Sequence, residues 1–106
     1  MKEYKFLYDG YIEMINMSFV KVLIFVTDRY IELDKNLFCN LPKEIACKIL
    51  VKSVKHLNKD AKKFKYHKLL GIYDNLLKKI GEFQTQKTLF INTKEKIIIS
   101  LANKYN

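Results

Sequence analysis

Apolar positions recur at helical spacing along most of this chain. Ile12, Ile15, Phe19, Val22 or Leu23, and Val26 fall on one face of a helix read over residues 12–26. Residues 20–26 are also rich in β-branched side chains and fit a strand; the helix is the preferred reading. The preceding stretch mixes Tyr4, Phe6, Leu7, Tyr8 and Tyr11 with polar residues, and Gly10 is expected to break any regular element there. Residues 27–34 read as a connecting segment. Asp34 suits the N-cap of a short helix over residues 35–39, because its carboxylate can accept a hydrogen bond from an unpaired first-turn amide.

Two helices are defined more sharply. Pro42 opens the first, where a missing N–H costs nothing, and Glu44 in that turn suits the helix dipole. Its apolar side, to about Leu57, carries Ala46, Ile49, Leu50, Val54 and Leu57. After a linker over residues 58–65, the second spans residues 66–80, with Leu69, Leu70, Tyr73, Leu76, Leu77 and Ile80 inward and Gly81 placed to end it. The period then changes. Residues 87–91 and 96–101 are β-rich runs joined by residues 92–95, a hairpin pattern. The expected fold is one mainly α domain over residues 1–106, a small bundle of three or four helices with a C-terminal β-hairpin. Phe19, Leu23, Ile49, Leu50, Val54, Leu70, Tyr73, Leu77 and Ile98 are the predicted core.

Composition agrees with a folded domain. Hydrophobic residues make up 49% of 106, too many for a disordered chain, and the length suits one core. The most apolar stretch, residues 14–26, is interrupted by Lys21 and is shorter than the roughly 20 residues a membrane span needs. The start lacks a signal-peptide layout, so a cytoplasmic location with Cys39 and Cys47 reduced is expected.

Charge changes the picture more. The net charge is +9, and it is unevenly spread: residues 1–42 hold five cations and six anions, residues 43–106 fifteen cations and five anions. A basic portion of this kind favours a polyanionic partner, nucleic acid or an anionic membrane surface. The plain alternative is a solvated, lysine-biased surface, since Arg29 is the sole arginine.

The sequence offers little for catalysis. Gly10, Gly71 and Gly81 are isolated, so no glycine loop can bring backbone amides close to a phosphate. His56 and His67 lack metal-ligand spacing, Cys47 reads as a small buried hydrophobe, and Asp28, Glu32 and Asp34 read as part of a solvated connector. No catalytic residue, cofactor or metal is expected. One constellation stands out. Lys48, Lys52, Lys55 and Lys59 recur at i, i+4, i+7 and i+11, a stripe opposite Ala46, Leu50 and Leu57. Lys62, Lys63, Lys65 and Lys68 continue it, with Tyr66 and His67 among them. Ammonium groups suit backbone phosphates, and Tyr66 can stack on a base. The competing reading is a solvated helix face with Tyr66 packed on the core.

The order of short motifs adds a resemblance. Leu33-Asp34, a short helix to Phe38, and Leu41-Pro42-Lys43-Glu44-Ile45-Ala46 opening the next helix resemble the bacterial tRNA(Ile)-lysidine synthases, in the substrate-recognition region that follows the catalytic domain. That region carries an LD pair, an LP-x-E-I-A helix start, a YPPR-like junction, a leucine-rich helix and a TLGGC hairpin strand. Here Lys65-Tyr66-His67-Lys68 stands at the junction, keeping the tyrosine but neither prolines nor arginine. Leu69, Leu70, Leu76 and Leu77 fit the next helix, Thr88-Leu89 opens the hairpin strand, Phe90-Ile91-Asn92 replaces GGC, and residues 96–100 fit the second strand. The resemblance covers residues 12–101. The ATP-pyrophosphatase domain with its SGG-x-DS loop is absent, as is the second half of the hairpin motif. The family joins lysine to a tRNA cytidine using ATP. The resemblance therefore implies a detached fragment that holds tRNA without catalysing, or that complements a separately encoded catalytic fragment. The expected partner is tRNA or another nucleic acid, and, given the short apolar stretch, no membrane. The rivals are a winged-helix DNA-binding protein, and a structural remnant or protein-interaction module without a nucleic-acid role.

Overall fold

The computed structural model describes residues 2–61, 63–85 and 87–101, with the backbone alone over residues 2–9. Among these residues the elements run α1 (Lys2–Val22), β1 (Leu23–Val26), β2 (Tyr30–Asp34), α2 (Lys35–Cys39), α3 (Lys43–Leu57), α4 (Tyr66–Lys78), β3 (Gly81–Thr85), β4 (Thr88–Asn92) and β5 (Lys96–Leu101). The strands form one antiparallel sheet in the order β1-β2-β5-β4-β3. This is a mixed α+β fold, and it corrects the expected mainly α bundle. The hairpin β4–β5 exists as predicted, but it is the middle of a sheet rather than an appendage.

Three segments account for the correction. Residues 23–26 leave the helix and pair as β1 with β2, so the β-branched run prevails over helical spacing. The supposed connector holds β2, whose alternation is that of a half-buried strand: Ile31 and Leu33 are buried, while Tyr30, Glu32 and Asp34 are partly exposed. Thr27 closes the turn before it, its Oγ1 accepting from the Arg29 and Tyr30 amides. Finally, residues 81–85 form an edge strand against β4. Gly81 does not terminate α4, which ends at Lys78; it opens β3 with φ +142°, a backbone that suits glycine. The other early glycine, Gly10, lies inside α1, which runs through it.

Of the predicted start signals, Asp34 acts as expected: its carboxylate accepts from the Leu37 amide at 2.9 Å and starts α2. Pro42 stands one residue before the expected first turn, at the N-cap of α3, with Glu44 in the first turn.

The core lies between the helices and one face of the sheet. Cross-strand register places Ile31, Ile99, Phe90 and Phe83 in one row, and the two Phe rings stack with centroids 5.1 Å apart. Central helix α3 lies against α1, α4 and β5 and buries Ala46, Ile49, Leu50, Val54 and Leu57 as predicted. The α4 face is rotated from expectation: Leu69, Ile72, Tyr73 and Leu76 are buried, Leu70 is half-buried and Leu77 is 38% exposed. Ile80 falls beyond the helix and is exposed. Phe19 and Leu23 are also half-buried rather than central, and Ile98 faces the open side of the sheet because Ile97 and Ile99 point inward.

The hairpin pattern puts Asn92 in the connecting loop, yet it is 1% exposed at the end of β4. Its Nδ2 donates to the carbonyls of Leu76, at 2.9 Å, and Lys79, and its Oδ1 accepts from the Lys35 ammonium. The amide therefore satisfies carbonyls at the open end of α4, in place of a left-handed glycine cap.

Candidate nucleic-acid interface

The lysine stripe is a product of α3's amphipathicity. Burying Ile49, Leu50 and Val54 turns Lys48, Lys52 and Lys55 outward, and all three are exposed. Lys59 is exposed too, but it lies past the end of α3, in the turn begun by Asn58, so the stripe continues onto the linker rather than along the helix. Lys63, Lys65 and Lys68 are exposed, while Lys62 lies outside the described residues.

The stripe divides. Lys52 leans towards α1, where its ammonium donates to the Asn16 side-chain oxygen at 2.6 Å. Lys48 instead lines a groove between α3 and the start of α4 together with Tyr66. That groove, about 320 Å³, is lined by Lys43, Glu44, Cys47, Lys48, Tyr66, Leu69 and Leu70. Tyr66 is not packed on the core: it is 72% exposed, so its ring is free to stack. The groove adds Lys43, which the spacing argument missed because it lies outside the stripe's register; its ammonium sits 5.9 Å from the Tyr73 ring centroid. The Glu44 carboxylate also borders the groove and accepts the Tyr11 hydroxyl at 3.0 Å. Among the described residues, none of Lys43, Lys48, Lys55, Lys59, Lys63, Lys65 and Lys68 pairs with a carboxylate; the ion pair present is Lys96–Glu32 on the sheet.

Cys47 forms part of the groove wall but is 6% exposed. Burial pushes its thiol up, more strongly than Lys43 draws it down. Burial likewise raises the Cys39 thiol and the Tyr73 phenol. Each of these acids holds its proton more tightly folded than unfolded. Their stabilising contribution is complete below the ordinary thiol range and is lost as pH rises towards the folded values. Urea unfolding is therefore expected to show lower stability at about pH 10 than at about pH 7.

Other sequence candidates are dispersed. His56 is exposed, its Nε2 3.1 Å from the Thr27 carbonyl oxygen, and His67 is exposed on α4. Glu32 pairs with Lys96 and Asp34 caps α2, so the acidic cluster is divided between structural tasks on β2 and is not the connector expected. Among the described residues no group of three or more His, Cys, Asp or Glu is placed to hold a metal ion, and no helix is long and apolar enough to cross a membrane. Compared with family models, curated proteins and solved structures, the chain matches none of them.

Proposed function

We propose that this chain binds RNA, with tRNA the favoured partner, through α3, the α3–α4 linker and the first turn of α4. One observation carries the reading: Lys43 and Lys48 line the same groove as the exposed Tyr66 ring. Ammonium groups beside an aromatic face suit one strand segment, with phosphates on the lysines and a base on the ring. Lys55, Lys59, Lys63 and Lys65 extend the basic surface. The resemblance of the Leu41–Ala46 and Lys65–Lys68 segments to tRNA(Ile)-lysidine synthases supports tRNA as the polyanion. The chain then acts as an accessory that holds tRNA, with catalysis supplied by a separately encoded fragment.

Filter binding with tRNA tests this. Affinity should fall steeply with salt, as expected when lysines displace counterions. The double substitution Lys43→Glu, Lys48→Glu should weaken binding by at least about tenfold and flatten the salt slope. Tyr66→Ala should weaken it by about 1–3 kcal/mol while leaving the thermal midpoint in place, because the ring supports no core. Unchanged affinity in both variants, or a clear preference for duplex DNA in competition, would overturn the reading.

A further inference from the structure

The outer face of α1 carries a second pattern, independent of the lysine groove. Ile15, Phe19 and Val22 turn this helix onto the core, which leaves Gly10, Glu13, Met14, Met17, Val20 and Lys21 on the opposite side. Met14 is 48% exposed, Met17 66% and Val20 72%. Such a cluster of large apolar side chains on a helix face calls for a partner.

The order of these residues indicates which partner. Met17 is the midpoint. Met14 and Val20 stand three positions before and after it, both apolar. Glu13 and Lys21 stand four before and four after, with opposite charge. Among the described residues neither Glu13 nor Lys21 has an ion-pair partner, and eight residues of helix, about 12 Å, hold them apart. Two copies of α1 packed antiparallel about a two-fold axis through Met17 bring Glu13 of each against Lys21 of the other and Met14 against Val20. A two-fold interface demands this reciprocity, residue i on j and j on i.

We infer that the chain forms a two-fold dimer through the outer face of α1, with Met17 on the axis and reciprocal Glu13–Lys21 pairs at its flanks. Each basic groove belongs to one copy, so the dimer presents two.

Sedimentation velocity on the full chain tests this. The wild type should sediment as a species of about twice 12.6 kDa at about 100 µM. Glu13→Lys sets like charges together at both flanks, and Lys21→Glu does the same with the opposite sign; each alone should weaken dimerisation by at least about tenfold. Mixing the two variants restores opposite charges at both flanks, so the mixture should recover the dimer. That recovery also shows that each variant is folded. A monomeric wild type would overturn the inference and assign the stripe to a different protein. A dimer indifferent to either charge reversal, or a mixture that stays monomeric, would overturn it as well.

Discussion

Leu76→Ala is expected to lower the free energy of unfolding by about 2–5 kcal/mol, and Leu77→Ala, one residue on, by about 1 kcal/mol or less. Leu76 is fully buried in the hydrophobic core, so truncating it leaves a cavity that close-packed neighbours fill only in part. Leu77 is 38% exposed, and water already occupies much of its surroundings. Urea denaturation of both variants measures the difference. Equal losses would mean that the α4 face is rotated from the arrangement described.

Replacing Asn92 with Leu is the second large effect expected, about 2–4 kcal/mol. Leucine has similar bulk but no donor. The Leu76 and Lys79 carbonyls at the end of α4 lose the amide that satisfies them, and the Lys35 ammonium keeps only the Thr93 carbonyl of its two acceptors. A buried polar group left without a partner costs more than an average hydrogen bond contributes. Amide exchange in the last turn of α4 should accelerate together with the global loss. Wild-type stability in Asn92→Leu would show that water replaces the side chain at no cost.

Sequence pattern exposed the helical half of this fold more clearly than the sheet. α3 and α4 announce themselves through long apolar periodicity, and α2 through Asp34, because these signals are local. The period-two alternation of Tyr30, Ile31, Glu32, Leu33 and Asp34 was present too, but five residues between charged neighbours resemble a connector until a pairing strand is known. One of its partners, β1, is itself hidden in a helix-like run, and the other, β5, lies far along the chain. β3 carries less still: at the sheet edge, only Phe83 and Thr85 are partly covered, so no strict alternation is required of it. The rotation of α4 was also hidden, since Leu69, Leu70, Leu76 and Leu77 form an apolar arc wider than the face that is buried. At the groove, Lys48 and Tyr66 were visible as residue types, but their meeting, and the addition of Lys43, depend on how α3 and α4 pack. Asn92 shows the limit most plainly, because a polar residue between a strand and a loop gives no local sign of joining a distant helix end.

Strand β5 lies between β2 and β4, with Tyr30 opposite Ser100 and Ile31 opposite Ile99. During synthesis, β1 and β2 leave the ribosome long before the partner that holds them in the sheet. The nascent chain must shelter the apolar face of that first hairpin until residue 101 clears the exit tunnel, and only then can the two halves of the sheet be joined.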